Sequence, residues 1–401
     1  MASRMLTLGL CALIGSVIAH GHHGEEEHTP EPFIGWTRED LDAKWGTDWG
    51  FSGISTFAHL EHQRCLQYPD TEYDIAILGA PFDTAVTYRP GARFGPKAIR
   101  SASARQTAFR GYNPRANLNP YTNWAKIIDC GDIPITPFDN ALALRQMTEA
   151  FTNLAYSKAP KINAESTTPY RRTPKLVTLG GDHSIALPTL RALNRIYGSV
   201  AVVHFDAHLD TWHPAKYPSA WLDDDLTEYQ QSFFTHGTMF WVAHNESLLL
   251  PSKSVHAGLR TRLSGVEDYE DDDAQGWSRF SADDMDDIGA KGIAERIIKH
   301  VGTDTPVYLS IDIDVIDPGL APGTGTPEPG GWTTRELIRV LRGIEGLNVV
   351  GADVVEVSPS YDGSGETTAL AAAQVAFEIL TSMVKRGLSS TGKEDNIKQE
   401  L

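Results

Sequence analysis

The chain of 401 residues is short of cations: 35 Lys and Arg face 52 Asp and Glu, a formal net charge of −17. That balance excludes a protein that grips phosphates with a basic face, so no nucleic-acid partner is expected. Cysteine is scarce too, with only Cys11, Cys65 and Cys130, which excludes a fold stapled by many disulfides. Beyond the first nineteen residues no apolar run approaches the roughly 20 residues that a membrane-spanning helix needs. What is present is a 41% hydrophobic composition, enough to build a large buried core.

At the N-terminus Arg4 precedes an apolar run from Met5 to Ile18, followed by Ala19 at a small-residue cleavage position. This pattern reads as a secretory signal peptide over residues 1–19, leaving a mature protein without a membrane partner. Cys11 departs with it, so Cys65 and Cys130 remain as one disulfide or two free thiols. Residues 20–33, with His20, His22, His23, His28 and Glu25 to Glu27, read as a solvated polar tail. Asn245-Glu246-Ser247 is a glycosylation sequon, and Lys398-Gln399-Glu400-Leu401 resembles an endoplasmic-reticulum retrieval tetrapeptide. The expectation is a secretory-pathway protein, secreted or vacuolar, with reticulum retention as the alternative.

From about residue 73, short β-branched runs alternate with stretches of helical period. That pattern predicts an α/β fold of three layers, α/β/α, around a central, mostly parallel sheet. Strands are expected at 73–78, 125–129, 175–179, 200–205, 254–259, 306–313 and 348–355. Helices are expected near 96–106, 141–157, 186–197, 290–301, 333–344 and 367–385. No Pro-, Gly- and Ser-rich linker divides the chain, so a single catalytic domain is expected from 34 to 388, followed by a tail, 389–401. The segments 156–174 and 267–287 read as surface insertions.

Three strand ends carry chemistry. Val203-His204-Phe205-Asp206-Ala207-His208-Leu209-Asp210 closes one apolar strand with Asp206, His208 and Asp210 at i, i+2 and i+4; Asp312 and Asp314 repeat that spacing at another. A third strand ends in Gly180-Gly181-Asp182-His183-Ser184, and the 23 positions from His183 to Asp206 suit one βαβ unit. In open α/β sheets the binding crevice lies at the carboxyl ends of the strands, where all three clusters arrive. Four carboxylates packed there repel one another unless cations neutralise them, and two divalent ions balance Asp206, Asp210, Asp312 and Asp314. Hard oxygen donors with some imidazole and no thiolate favour Mn²⁺. Paired ions about 3.5–4 Å apart lower the pKa of a shared water. His204 reads as a buried, hydrogen-bonded histidine, and Asp182 and Asp317 as supporting or turn-forming groups. The glycine-rich 319–331 segment lacks the lysine context of a phosphate cradle.

Gly180 to Ser184, Asp206 to Asp210 and Ser310 to Pro318 resemble the signature motifs of the ureohydrolases, the arginase and agmatinase family of dinuclear manganese hydrolases. Arg89 to Pro96, His236 to Phe240 and Val355 to Pro359 lean toward the agmatinase branch, and the resemblance spans about Tyr73 to Leu380. It implies that His183, Asp206, Asp210 and Asp312 hold one of two Mn²⁺ ions, and Asp206, His208, Asp312 and Asp314 the other. It further implies that Asp210 accepts a hydrogen bond from the bridging hydroxide, that Glu356 anchors a guanidinium, and that His236 handles protons at the leaving amine. A homo-oligomer, trimer or hexamer, is implied by the same resemblance.

The expected partner is a small cationic guanidino substrate, agmatine first. The 26 positions from Asp210 to His236, longer than in bacterial agmatinases and including Trp212, Trp221 and Asp223 to Asp225, are expected to border its tail, together with Tyr88. A guanidino-acid hydrolase such as a guanidinobutyrase is the alternative within the class, for which Lys216 is the available cation. Outside it stand a non-catalytic metal-binding protein and a zinc deacetylase, whose site needs fewer carboxylates.

Overall fold

A computed structural model describes residues 35–157, 159, 173–217 and 233–390. The expected signal peptide, the histidine-rich tail, the run Asp223 to Asp225 and the C-terminal tetrapeptide lie outside these residues. The chain divides into two units, one up to Thr47 and one from Asp48 on, and the second holds the sheet. In the first unit, α1 (Arg38–Trp45) opens with a capping box in which Thr37 and Asp40 satisfy each other's backbone amides.

In the second unit eight strands form one parallel sheet: β1 (Ile75–Ala80), β2 (Ile127–Asp132), β3 (Lys175–Gly180), β4 (Ala201–Phe205), β5 (Val255–Leu259), β6 (Ser278–Ser281), β7 (Pro306–Asp312) and β8 (Asn348–Val355). Their order is β2-β1-β3-β8-β7-β4-β5-β6. The helices are α2 (Gly95–Ala102), α3 (Asn140–Ala155), α4 (Ala186–Tyr197), α5 (Met239–Asn245), α6 (Glu267–Ala274), α7 (Asp284–Val301), α8 (Thr334–Gly343) and α9 (Thr367–Ser390). Alternation along the strands assigns the layers. Ile75, Ile77 and Val203 pack in one cluster with residues of α2, α7, α8 and α9. Ala76, Leu78 and Val202 pack in another with α3, α4 and α5. Both faces are covered, which is why the strands read as continuous apolar runs. The expected three-layer α/β/α fold is therefore present.

On the face toward α3 to α5, one polar position per strand is aligned by register. Thr178, Asp353, Ser310, His204, His256 and Arg279 are successive neighbours across β3, β8, β7, β4, β5 and β6. The first five are fully buried, so this row runs through the interior directly beneath the strand ends.

Three expectations change. The acidic 267–287 segment is not a surface insertion. It supplies α6, the edge strand β6 and the start of α7, and two of its carboxylates are buried and paired: Asp268 with Lys216, and Asp272 with His256 and Arg279. The α7 helix begins at Asp284 rather than near residue 290, with a break in its helical path at Gly289, φ +67. Finally, α9 is long and apolar enough to cross a membrane on composition alone, contrary to the expectation of no such segment; Ala372, Ala373, Val375, Ala376 and Leu380 instead bury it in the core. Cys65 and Cys130 form a disulfide, which decides between the two alternatives left open by the sequence.

Candidate metal centre

Four central strands, β3, β8, β7 and β4, end side by side, and each delivers acidic or histidine side chains to the same edge. After β3, Asp182 caps a short 3₁₀ turn, 183–185, that places His183. Burial pushes the Asp182 carboxyl up to about 7, with Glu356 adding to the rise, while Ser184 and the Ala85 amide hold it in place. After β7, Asp312 caps the next turn by accepting the Asp314 amide at 2.8 Å. Asp210 and Glu356 leave β4 and β8 in the left-handed region, φ +58 and +61, a conformation costly for residues with a Cβ and one that concentrates at functional sites.

His183 Nδ1 is buried without a hydrogen-bond partner, yet it faces Asp206 Oδ2 at 3.1 Å, Asp210 Oδ2 at 3.1 Å and Asp312 Oδ2 at 3.3 Å. The opposite nitrogen, Nε2, lies 2.8 Å from Ser310 Oγ, which itself donates to Asp353 Oδ1 at 2.9 Å. Ser310 has then only a lone pair to offer, so Nε2 carries the ring hydrogen and Nδ1 presents a lone pair to three carboxylate oxygens. Such an arrangement calls for a positive charge between them, and the donor set suits a divalent cation. A second cluster adjoins it: His208 Nδ1 lies 3.1 Å from Asp206 Oδ1 and 3.0 Å from Asp314 Oδ2. Asp206 thus turns one oxygen to each cluster, as a bridging carboxylate must.

Burial presses the His183 ring toward its neutral form, but Asp206, Asp210 and Asp312 hold its pKa well above the ordinary value, the same demand for positive charge among these carboxylates. Burial, then Asp314 and Asp206, lifts the Asp312 carboxyl well above its usual range. Burial and Asp206 raise Asp314 to about 6 and also raise Asp210. Burial acts the same way on Asp206, but His204, His183 and His208 outweigh it and hold this carboxyl well below the ordinary value.

Glu356 and His236 stand beside the clusters. Glu356 Oε1 accepts the His183 amide at 2.8 Å and His236 Nδ1–H at 3.0 Å, while Oε2 is buried without a partner. Gly325 permits this packing, since a Cβ there would lie 2.9 Å from Arg89 O and 3.4 Å from Glu356 Oε2. His236 Nε2 accepts the Thr87 amide at 3.0 Å, so the ring is neutral with its hydrogen on Nδ1. Burial presses His236 toward that neutral form, but Glu356, Asp210 and Asp182 hold its pKa above the ordinary value. A cavity of about 250 Å³ opens over the site, lined by His208, Asp210, Asp312 and His236 below and by Trp212, Lys216, Tyr217 and Ser264 above.

The six expected ligands, His183, Asp206, His208, Asp210, Asp312 and Asp314, therefore meet with Glu356 and His236 at one sheet edge. Tyr88 does not join them: it is 66% exposed and absent from the lining, where Thr87 stands instead. Sequence reasoning did not single out Thr87, Asp353, His256 or Asp272. For Asp353 and His256 a signal existed, a lone polar residue interrupting an otherwise apolar strand.

Comparison with known proteins gives concordant findings. The arginase family model matches residues 73–381. The chain is similar to "Putative agmatinase 1" of Schizosaccharomyces pombe, 46% identical over 346 residues, covering 86% of each chain. It is also similar to the agmatinase of Chromobacterium violaceum, 36% identical over 342 residues, covering 85% of this chain and 92% of that one. Among solved structures, the proclavaminate amidino hydrolase of Streptomyces clavuligerus superposes with a TM-score of 0.70 at 34% identity, covering 84% of this chain and all of that one.

Proposed function

The chain belongs to the arginase family, and from that premise we propose that it hydrolyses a linear guanidino compound, agmatine, to urea and the corresponding amine, using two Mn²⁺ ions. The observation that carries this reading is the unpartnered, buried Oε2 of Glu356, set beside two histidine and carboxylate clusters that share Asp206. His183, Asp206, Asp210 and Asp312 would hold one ion, and Asp206, His208, Asp312 and Asp314 the other. When bound, such a pair supplies a water of lowered pKa as nucleophile.

The protein's own residues account for the rest. A guanidinium is a poor electrophile because its charge is delocalised, so it must be held and oriented. Glu356 Oε2 accepts its N–H groups, while Oε1 stays fixed by the His183 amide and His236. Water oxygen bonds to the guanidinium carbon and gives up both its protons, the bond from that carbon to the chain nitrogen breaks, and this nitrogen takes one proton to leave as an amine while the other passes to solvent, so that urea departs neutral. His236 is the group placed to move that proton. His236→Asn is expected to lower kcat by about 10²- to 10⁴-fold with Mn²⁺ content unchanged by elemental analysis. An unaltered turnover would exclude His236 from the reaction.

Urea release from agmatine, 4-guanidinobutyrate and arginine, measured in parallel with Mn²⁺, tests the substrate. Agmatine is expected to give the highest kcat/KM, and no urea from any of the three overturns the proposal. One observation favours a guanidino acid as the second reading: Lys216 is the only Lys or Arg among the described lining residues, with Asp268 3.3 Å from its Nζ. Lys216→Ala separates the two. It leaves or raises agmatine turnover if the tail is cationic, and lowers guanidinobutyrate turnover if the tail is anionic.

We also propose secretory-pathway residence and a trimeric or hexameric assembly. The Cys65–Cys130 disulfide supports the former, since such bonds persist in oxidising compartments. N-terminal sequencing of the mature protein and light scattering test these two points.

A further inference from the structure

Behind the bridging carboxylate lies a chain of hydrogen bonds that the reaction as described does not use. Asp206 Oδ2 is 2.9 Å from His204 Nε2, His204 Nδ1 is 2.7 Å from His256 Nδ1, and His256 Nε2 is 3.1 Å from Asp272 Oδ1. All four side chains are fully buried. Three contacts need three hydrogens, and two neutral imidazoles supply two.

The location of the third hydrogen follows from the ends of the chain. Asp206 Oδ2 can only accept, so His204 carries its hydrogen on Nε2 and offers a lone pair at Nδ1. His256 must therefore donate from Nδ1. If its ring were neutral, Nε2 would turn a bare lone pair on Asp272 Oδ1. Asp272 is not the donor, because it already accepts Thr211 Oγ1 at 2.7 Å on Oδ1 and Arg279 Nη1 at 2.6 Å on Oδ2, as an ionised carboxylate does. The ring of His256 also lies flat on Trp277, centroids 4.0 Å apart and planes 16° from parallel, a face that attracts a cation. The other charged groups nearby, Arg279 on β6 and Asp273 beyond it at 2.8 Å, offset each other.

We infer that His256 and Asp272 are positioning residues for the metal centre: Asp272 holds His256 as an imidazolium, which fixes the tautomer of His204 and so aims the two oxygens of Asp206 at separate ions. Without that chain, His204 is free to present a lone pair to Asp206, and the bridging carboxylate loses its fixed orientation. The inference rests on the two-ion reading proposed above, and its test separates the two.

Mn²⁺ titrations of the mature full-length protein, followed by the electron paramagnetic resonance of free Mn²⁺, would compare it with His256→Leu, His256→Asn and Asp272→Asn. Circular dichroism would confirm folding. Two ions per parent chain are expected. His256→Leu and Asp272→Asn should weaken at least one site by about tenfold to a hundredfold, the scale for groups that orient metal ligands. His256→Asn, whose amide nitrogen can replace Nδ1 as donor, should retain more affinity than His256→Leu. In parallel, nitrogen-15 spectra of histidine-labelled, Zn²⁺-loaded protein at pH 8 should show one ring protonated on both nitrogens, absent from His256→Asn. Should Asp272→Asn fail to fold, the two His256 variants carry the test. Affinity within twofold of the parent in His256→Leu, or no doubly protonated ring, overturns the inference. Fewer than two ions in the parent overturns the two-ion reading instead.

Discussion

Asp206→Asn is expected to reduce urea release at least a thousandfold and to lower bound Mn²⁺ from two ions per chain to one or none. The substitution keeps the shape of the side chain, so the effect isolates its charge and its two accepting oxygens. Oδ2 faces His183 Nδ1 and Oδ1 faces His208 Nδ1, each at 3.1 Å. An amide can offer only one oxygen, and its NH₂ would point at a ring nitrogen or at the cation itself. A paired-ion site whose nucleophile depends on both ions loses most of its catalysis with either, and removing such a unit typically costs several decades in rate. Elemental analysis beside the urea assay checks both halves, and two ions with turnover within tenfold of the parent would contradict the site as assigned. Acidification should mimic the variant in part. Burial and Asp206 raise the Asp314 carboxyl to about 6, so protons compete with the ion there, and Mn²⁺ affinity should fall as pH drops below that value.

A different signature is expected from Glu356→Gln: kcat/KM for the guanidino substrate falls by roughly two to three decades, the scale of removing one partner from a buried charge pair, with both metal ions retained. Oε1 is already committed to the His183 amide and to His236 Nδ1–H, which fixes the orientation of any replacement. A glutamine in that orientation keeps its oxygen on those two donors and places its NH₂ at the Oε2 position, facing the N–H groups of the guanidinium. Donor then meets donor, and the cation has lost its counter-charge in a buried site. Free guanidine, as a competitive inhibitor, should weaken in parallel. A loss confined to less than threefold, or a loss of metal, would show that Glu356 serves the centre and not the substrate.

Much of this site was legible before any coordinates. Asp206, His208 and Asp210 stand at alternate positions after an apolar run, as do Asp312 and Asp314, and a parallel sheet forces the carboxyl ends of its central strands to one edge. Seven of the eight strands read as apolar runs for the same reason. The eighth, Ser278–Ser281, has no residue fully buried and follows an acidic helix, so nothing in its local pattern separates it from surface chain. Tyr88 shows the converse. Expected to border the tail of the substrate, it is exposed, with Arg89 Cζ 5.1 Å from its ring centroid, and Thr87 lines the cavity.

The sequence by itself determined the fold class and the six ligand candidates, because these depend on local periodicity and on residue chemistry at strand ends, and its resemblance to the ureohydrolases supplied the reaction class. Only the tertiary structure decided which groups stand behind them. Asp353 orients His183 through Ser310, and Asp272 reaches Asp206 through His256 and His204, across strands far apart in the chain. Such partnerships are set by strand order and register, and register between distant segments is a property of the assembled sheet that no single segment encodes.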